Sequence, residues 1–338
     1  MNFERDVKLK LLVIGLGSMG KRRISLLKKY FGQEVDVIGL DMRLERRKET
    51  EKLYGIITYS NLEQAINIEK PNGVLICTSP ISHADLILDC LNKKLNVFTE
   101  INLLKDKYHE IIDVAEKNNL ELFLSSTFMY RKDIEYIQKE VQSNFKKVHY
   151  RYHVGQYLPD WHPWENYKDF FVSNKKTNGC RELFAIELPW ILKTFGNVKE
   201  LKIIKDNLST LDLDYADSYF VLLEHENGTK GILNVDIVCR KPVRSLEIYS
   251  EEMHLFWEGT PNSLNKYDIE KKETIQIETY KSIDKDNRYS ASIIENAYME
   301  ELDVFIKKLL GEKNNERYTF KDDLYTLGLI DKIEGLSE

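Results

Sequence analysis

The chain has 338 residues, 42% of them apolar, and its 49 Lys and Arg against 55 Asp and Glu give a net charge of −6. This length predicts about two domains, each with its own core, and the mild acidity without a basic block argues against nucleic-acid binding. The longest apolar runs fall far short of the roughly 18 residues that a membrane-spanning helix needs, so no membrane partner is expected.

Short β-branched runs alternate with helical patterns over the first 125 residues, as is typical of a parallel sheet with crossover helices. The predicted strands are Leu9–Ile14, Val35–Leu40, Gly73–Cys77, Asn96–Thr99 and Leu120–Leu124. The predicted helices lie near Met19–Phe31, Asn61–Ile68, His83–Asn92 and Lys105–Asn118. We therefore expect an α/β domain with a doubly wound parallel sheet over residues 1–125.

From about residue 146 the pattern changes to period-two alternation with tight turns, which is typical of an antiparallel sheet. The predicted strands there are Val148–Val154, Ser218–Leu223, Lys230–Val238 and Thr274–Thr279. Apolar spacings of three and four predict two closing helices, near residues 293–309 and 324–333. Residues 126–338 are expected to form an α+β domain with a large, mainly antiparallel sheet, its last helices packing back towards the first domain.

A glycine-rich turn, Gly15-Leu16-Gly17-Ser18-Met19-Gly20, follows the first strand and opens the first helix. In a Rossmann dinucleotide fold, Gly15 makes the tight turn, Gly17 lets a pyrophosphate approach the backbone, and Gly20 packs the helix on the strand. Ser18 and Met19 are expected to bind the cofactor at the helix N-terminus, whose free N–H groups and dipole favour an anion. An ordinary glycine-rich turn is the alternative interpretation.

Asp41 ends the second strand, 41 − 20 = 21 residues after Gly20, where a carboxylate is able to accept both ribose hydroxyls. Such a carboxylate repels a 2′-phosphate and therefore favours NAD. Arg43 follows closely, with Arg46 and Arg47, and these side chains are either partners for a 2′-phosphate or the solvated start of the next helix. NAD is the expected cofactor, with NADP as the alternative.

With this loop and Asp41, the segment Cys77-Thr78-Ser79-Pro80-Ile81-Ser82-His83 resembles the Gfo/Idh/MocA oxidoreductases, and the resemblance spans nearly the whole chain. It implies that the nicotinamide is lined by Thr78, Ser79, Pro80 and His83. A solvent-facing residue at a helix N-terminus is the other interpretation of His83. The resemblance also implies a Glu-Lys-Pro motif whose Lys exchanges the substrate proton, but this chain has Glu100-Ile101-Asn102 there.

The resemblance implies a second motif on a helix of the C-terminal domain, in which an acid and a His approach the reacting hydroxyl. Glu182 fits the acid, whereas the His position falls on Ile186, or on Glu187 with a shift of one. Pro189 replaces the last Asp of the motif, and a kink or restart of the helix is expected there. Since Ile101 and Ile186 do not titrate, either another residue supplies the proton transfer or the protein does not turn over in the usual way.

Residues 153–165 are rich in aromatic and polar side chains and are the best segment to supply a replacement. In relatives this loop covers the nicotinamide and the sugar-binding cleft, where aromatic faces stack on sugars; a hydrophobic loop at the domain interface is the alternative. We nominate His162 as the base, because an ordinary His has a pKa of about 6.5. Tyr157 is the candidate hydroxyl donor, and Trp161 and Trp164 are candidate substrate-binding residues.

Four further polar residues complete the predicted site. Glu100, if buried under the nicotinamide, is a candidate for proton exchange, with a structural acid as the alternative. Glu187 is a candidate to orient or ionise the base, and Asn102 and Arg181 are candidate substrate-binding residues. No metal is predicted, because His149 and His153 share a strand face without a third ligand at metal spacing.

The resemblance implies an NAD(P)-dependent oxidoreductase acting on a secondary alcohol or ketone of a sugar, polyol or sugar-nucleotide. The alternatives are an enzyme that uses bound NAD transiently in a non-redox sugar reaction, and a non-catalytic dinucleotide or sugar sensor or scaffold. The expected partners are a small sugar-type substrate and, by resemblance, further copies of the chain in a homodimer or homotetramer.

The compartment is predicted from the cysteines and the N-terminus. The four cysteines are widely spaced without a Cys-x-x-Cys pair, and Glu4 and Asp6 precede a short apolar run, unlike the basic start of a secretory leader. A soluble, cytoplasmic protein with reduced thiols is expected.

Overall fold

The computed structural model describes residues 8–143, 147–162, 165–286 and 293–336. The chain divides into two compact units, which we call the first unit (Met1–Ser126 with Ala297–Leu324) and the second unit (Thr127–Asn296 with Tyr325–Glu338). Among the described residues, no helix has the length and apolar character needed to cross a membrane.

The first unit is built on a six-stranded parallel sheet. Its strands are β1 (Leu9–Ile14), β2 (Val35–Leu40), β3 (Thr58–Tyr59), β4 (Gly73–Ile76), β5 (Asn96–Thr99) and β6 (Leu122–Leu124). They lie in the order β3-β2-β1-β4-β5-β6, the doubly wound order whose switch point falls between β1 and β4. All four residues of β4 are buried, because helices cover both faces of such a sheet.

Helices connect these strands and continue into the second unit. They are α1 (Ser18–Phe31), α2 (Leu44–Tyr54), α3 (Leu62–Glu69), α4 (His83–Asn92), α5 (Tyr108–Asn118), α6 (Lys132–Ser143), α7 (Gly179–Phe195), α8 (Glu295–Leu309) and α9 (Phe320–Glu334). Within the first unit, Phe305 of α8 packs on Phe98 and Phe123, with ring centroids 5.6 and 6.1 Å away. The core of this unit therefore includes a helix from late in the chain.

The second unit contains an eight-stranded mixed sheet. Its strands are β7 (His149–Gly155), β8 (Val198–Asp206), β9 (Ser218–His225), β10 (Lys230–Asp236), β11 (Val243–Tyr249), β12 (His254–Trp257), β13 (Asn265–Asp268) and β14 (Glu273–Gln276). Their order is β14-β13-β12-β11-β7-β10-β9-β8, and every neighbouring pair is antiparallel except β7 and β10. The predicted fold class is confirmed.

Helix α7 covers one face of this sheet and leaves the other open. Tyr150, Tyr152 and Val154 of β7 are buried, whereas His149 and Arg151 are exposed. Of the kink or restart predicted at Pro189, the restart is wrong, since one helix runs from Gly179 to Phe195 with Pro189 inside it. Among the described elements, the sequence pattern gave no bounds for α2 and missed β3, α6, β8, β11, β12 and β13. Strand β8 is mostly exposed and thus lacks the apolar alternation that would mark it.

Candidate active-site residues

Two glycines of the loop after β1 are required by the packing of the protein itself. Gly15 has φ +92°, and a Cβ there would lie 2.8 Å from the carbonyl oxygen of Cys77. A Cβ on Gly20 would lie 1.9 Å from the carbonyl oxygen of Gly15, closer than any contact allows. The loop thus turns tightly and brings α1 against β1.

Gly17 differs from its two neighbours in the loop. The nearest atom to a Cβ at this position is the Arg46 guanidinium nitrogen, at an ordinary 3.5 Å. Gly17 is the N-cap of α1, whose first turn, from Ser18 and Met19, has no acidic residue and no capping side chain among the described residues. Packing does not require glycine here, and the helix dipole favours an anion at this N-terminus.

Asp41 is buried at the end of β2 and held by the glycine loop. Its Oδ2 accepts the Leu16 N–H at 2.8 Å and its Oδ1 accepts the Arg43 N–H at 2.8 Å. Arg46 Nη1 lies 3.7 Å from Oδ2, while the Arg43 side chain is exposed. A carboxylate and a guanidinium therefore stand side by side next to Gly17.

The segment after β4 forms a short turn that buries His83. Thr78 is half-buried, Ser79 is exposed and Pro80 is buried at the start of this turn. The imidazole of His83 is 2% exposed, so its interpretation as a solvent-facing residue is wrong. Its Nε2 lies 3.0 Å from the Thr78 carbonyl oxygen, and burial lowers its pKa below the usual value.

Asn102, which stands where the family motif has Pro, links His83 to a buried chain of hydrogen bonds. Its Oδ1 lies 2.7 Å from His83 Nδ1, and its Nδ2 donates to the Tyr108 hydroxyl at 2.8 Å. That hydroxyl in turn donates to Asp323, and burial raises the pKa of Tyr108 well above its usual value. His83, Asn102 and Tyr108 line a cavity of about 300 Å³ in the first unit. Sequence reasoning missed Tyr108 and Asp323, for which the unusual Asn102 was the one available signal.

Glu100 is held by an ion pair inside the first unit. Its Oε1 accepts from Arg23 Nε at 2.6 Å and its Oε2 from Arg23 Nη2 at 3.2 Å. Glu301 of α8 accepts from the same Nη2 at 2.7 Å. The Glu100 carboxylate is therefore engaged in a structural ion pair, and this role competes with the predicted proton exchange.

Glu187 is fully buried on the sheet-facing side of α7. Its Oε2 accepts from the Tyr152 hydroxyl at 2.7 Å and from Trp190 Nε1 at 2.8 Å, and its Oε1 accepts from Arg244 Nε at 2.9 Å. None of these donors belongs to the loop of residues 153–165. Within the described residues, Glu187 thus anchors α7 to the sheet.

Arg181 is buried at the start of α7 and makes ion pairs with the end of α9. Its Nη2 lies 2.7 Å from Asp331 Oδ1, and its Nη1 pairs with Glu334. The Glu334 carboxylate also accepts from Asn178, the N-cap of α7, at 2.6 Å. The predicted substrate-binding role of Arg181 therefore competes with a structural one.

The loop after β7 carries the nominated base and its neighbours. His162 Nδ1 lies 2.5 Å from Glu165 Oε1, and Trp161 Nε1 donates to the Gln156 carbonyl at 3.0 Å. The Arg240 guanidinium stacks on the Tyr157 ring at 4.0 Å. Trp164 lies outside the described residues.

Glu182, one turn before Ile186 on α7, is the described acid whose environment is most unusual. Its side chain is half-buried, and its Oε2 is shielded from solvent without a hydrogen-bond partner among the described residues. This burial raises the pKa of Glu182 to about 7. A carboxyl group that titrates near neutrality is able both to take and to give a proton at physiological pH.

His153 has neighbours that its spacing along the chain did not reveal. It lies against Asp236, and Cys239 is close to both, all in the second unit. The parallel pairing of β7 with β10 brings them together. The sequence argument paired His153 with His149 and so did not reveal this group, which does not include His149.

The part of the chain that carries the glycine loop matches a known protein family. Residues 9–125 match the Gfo/Idh/MocA family, described as an oxidoreductase family with an NAD-binding Rossmann fold. An inositol 2-dehydrogenase from Arthrobacter sp. (strain FB24) is 31% identical over 132 residues, which cover 38% of this chain and 39% of that protein. The match thus spans well under half the length of this curated relative.

Solved structures show the same fold over almost the whole chain. An oxidoreductase from Agrobacterium radiobacter, solved with NAD+, L-tartaric acid and magnesium, has a TM-score of 0.80 at 14% identity and covers 98% of this chain and 96% of its own. A UDP-N-acetylglucosamine 3-dehydrogenase from Acidithiobacillus ferrooxidans has a TM-score of 0.75 at 14% identity and covers 98% of both chains. Residues 9–125, which carry the glycine loop, Asp41 and His83, thus match the Gfo/Idh/MocA oxidoreductase family with its NAD-binding Rossmann fold, and the solved structures share the fold of the rest of the chain.

Proposed function

We propose that this protein is an NAD(P)-dependent oxidoreductase that transfers hydride at a secondary alcohol or ketone of a sugar, polyol or sugar-nucleotide. The observation that carries the proposal is Gly17, which packing does not require and which stands at an uncapped helix N-terminus beside Asp41. The substrate class is supported by the inositol and UDP-sugar dehydrogenases among the similar proteins.

Oxidation of a secondary alcohol moves a hydride and a proton to two different places. When bound, the nicotinamide accepts the hydride from the carbinol carbon. A protein group must take the hydroxyl proton as the carbonyl forms, and Ile101 and Ile186 cannot do so. We assign this step to Glu182, whose pKa is raised to about 7 and whose Oε2 has no partner among the described residues.

The other predicted site residues receive supporting roles. His83, which is held by Thr78 and Asn102, is proposed to line the nicotinamide with Ser79 and Pro80. Burial favours the neutral form of its imidazole. Glu100 and Glu187 are proposed to hold structure, because cations pair with both. His162, Tyr157 and Trp161 stay predictions for the loop that meets the substrate.

Glu182→Gln is expected to lower kcat by about 10²–10⁴-fold, the usual contribution of a positioned acid or base. Alcohol oxidation by the wild type should speed up as pH rises through about 7, where Glu182 loses its proton, and the variant should lack this rise. Initial rates across pH, with the exposed Glu200→Gln as control, test the assignment. A Glu182→Gln enzyme with the wild-type rate and pH profile would rule it out.

The same group predicts how stability depends on pH. Because the folded-state pKa of Glu182 exceeds the ordinary value of 4.5, its contribution to stability is complete below that value and is lost as pH rises towards about 7. Glu182→Gln keeps a neutral side chain at every pH. The variant should therefore gain stability relative to the wild type between these pH values, as urea unfolding measures.

Asp41→Ser is expected to weaken NAD binding by about tenfold or more, which corresponds to 1.4 kcal/mol. The substitution removes the acceptor for the ribose hydroxyls and frees Arg46, now 3.7 Å from the carboxylate, to pair with a 2′-phosphate. NADP should bind the variant better than the wild type. Fluorescence titrations with both cofactors test this, with the exposed Asp36→Ser as control; unchanged NADP affinity would contradict the proposed role of Arg46.

Isoleucine at both the Lys and the His position of the family motifs also fits two other functions, which must be tested. An enzyme that uses NAD transiently, or a sensor that only binds, needs no conventional base at Ile101 and Ile186. Adding myo-inositol, other polyols and UDP-N-acetylglucosamine to the NAD-loaded protein separates the three. Net cofactor reduction supports the dehydrogenase, turnover without reduction the transient use, and binding alone the sensor.

We also propose that the chain forms a homodimer or homotetramer through the open face of the second unit's sheet. Ile204, Phe220, Leu222 and Ile232 are 73%, 50%, 50% and 43% exposed there, and cross-strand pairing makes them neighbours. A patch of this kind marks an interaction surface.

A cytoplasmic location is proposed as well, because none of the four cysteines forms a disulfide.

A further inference from the structure

Three side chains of different chemistry meet on the open face of the second unit's sheet, where β7 and β10 end. His153 Nε2 lies 2.7 Å from Asp236 Oδ2, and one ligand atom from each of His153, Asp236 and Cys239 lies within 4.8 Å of the other two. In the parallel register, Asp236 stands opposite Gly155. An imidazole, a carboxylate and a thiol thus share one small region.

The Asp236 carboxylate is oriented by its surroundings. Its Oδ1 accepts the N–H groups of Val238 at 3.0 Å and Cys239 at 2.8 Å, which leaves Oδ2 to face His153. A Cβ at Gly155 would lie 2.6 Å from Oδ2, so glycine makes the room that this carboxylate occupies. Hydrogen bonds to the second oxygen of a carboxylate are the usual support of a metal ligand.

The donor set selects the kind of metal. Nitrogen, oxygen and sulfur ligands together suit Zn²⁺, which takes Zn–N and Zn–O bonds of about 2.0–2.1 Å and Zn–S bonds of about 2.3 Å in tetrahedral geometry. Such bonds place ligand atoms roughly 3.5 Å apart. The His153 and Asp236 ligand atoms must therefore separate by less than about 1 Å, and the Cys239 sulfur must approach by about 1 Å.

We propose that His153, Asp236 and Cys239 bind one Zn²⁺ ion and leave its fourth coordination position open. On binding, the Cys239 thiol gives up its proton to solvent and forms the zinc–sulfur bond, and the Asp236 carboxylate donates an electron pair to the metal. The His153 Nε2 exchanges its hydrogen bond with Asp236 for a bond to zinc, and its proton moves to the other ring nitrogen. No oxidation or reduction is involved. The site lies wholly in the second unit and does not rest on the proposed oxidoreductase activity.

The same sheet offers a matched pair without a thiol. His254 Nε2 lies 2.8 Å from Glu247 Oε1, and His254 and His153 are equally exposed, at 33% of the side chain. Glu247 is also held by Arg151, so His254 and Glu247 form a structural contact. The other three cysteines, Cys77, Cys90 and Cys180, are buried. These residues supply controls for histidine and for thiol.

The test is a titration of the metal-stripped full chain with Co²⁺, which replaces Zn²⁺ and reports thiolate ligation by a charge-transfer absorption. We expect one equivalent of Co²⁺ to produce this absorption, one proton to be released, and Zn²⁺ to abolish the signal. Cys239→Ser should lose the absorption, and His153→Asn should bind Co²⁺ at least about 10–100-fold more weakly. His254→Asn and Cys90→Ser should match the wild type.

The proposal is overturned if the wild type gives no thiolate absorption, if the absorption survives Cys239→Ser, or if His254→Asn weakens binding as much as His153→Asn. Circular dichroism of each variant checks that it is folded. If Cys239→Ser fails to fold, His153→Asn, which leaves the thiol in place, decides the question by the Co²⁺ affinity of the folded variant.

Discussion

Replacing Arg23 by Met is expected to lower the free energy of unfolding by about 3–5 kcal/mol, the usual cost of removing one partner of a buried ion pair. The Arg23 side chain is 0% exposed and donates to Glu100 at 2.6 Å, to Glu301 at 2.7 Å and to the Ser125 hydroxyl at 3.0 Å. Met fills a similar volume but leaves two buried carboxylates without their cation. This should be the largest effect of any single substitution discussed for the first unit.

The loss should depend on pH in a defined direction. Burial already raises the pKa of Glu301 above its usual value in the wild type, although Arg23 opposes the shift. Without Arg23 this pKa should rise further. A folded-state pKa above the unfolded value gives stability that is present in acid and is lost as pH rises through the folded-state pKa. Arg23→Met should therefore be least impaired near pH 5 and most impaired near neutrality.

Urea unfolding at several pH values measures this dependence, with Lys29→Met on the exposed side of α1 as control. The midpoint and slope together report the free energy of unfolding. An Arg23→Met protein within about 1 kcal/mol of the wild type at neutral pH, the range of an exposed ion pair, would contradict the account.

Gly17→Ala is expected to abolish most NAD binding while leaving the fold intact. A Cβ at this position meets nothing closer than the Arg46 guanidinium at 3.5 Å, so the free energy of unfolding should change little. The methyl group would occupy the space in which a pyrophosphate approaches the backbone. We expect the NAD affinity to fall by at least tenfold, or about 1.4 kcal/mol.

Gly20→Ala provides the contrasting variant. Its Cβ would overlap the Gly15 carbonyl at 1.9 Å, so both stability and NAD binding should fall, with a loss of stability of about 1–3 kcal/mol or more from overpacking. Thermal unfolding and fluorescence titration of both variants separate the two effects. Equal NAD affinity in Gly17→Ala and the wild type would show that the pyrophosphate does not lie over this loop.

The sequence predicts the parallel sheet of the first unit well, apart from β3, because the signals for its strands are local. Strand β4 is a continuous apolar run, as a strand buried on both faces must be, and the glycines of the loop stand at fixed spacings around one turn. The departure from the family motif at Ile101 and Ile186 is equally visible in the sequence. None of these inferences requires knowledge of distant partners.

The remaining features depend on partners far apart in the chain. Arg181 meets Glu334, 153 residues away, and Glu100 meets Arg23, 77 residues away, so charged residues that suggested ligands are engaged within the protein. His153 meets Asp236, 83 residues away, only because β7 pairs with β10. The raised pKa of Glu182 likewise follows from burial. Composition and spacing along the chain do not predict the order of the strands in a sheet or which side chains become buried.

The central claim, hydride transfer to a nicotinamide, is tested most directly by following an isotope. The full chain is incubated with NAD+ and, in turn, myo-inositol and other polyols carrying deuterium on their carbinol carbons, and the cofactor is then analysed by mass spectrometry. The account predicts reduced nicotinamide that carries one deuterium, formed far more slowly by Glu182→Gln. Recovery of NAD+ unreduced and unlabelled from every incubation, despite demonstrated NAD binding, would contradict it.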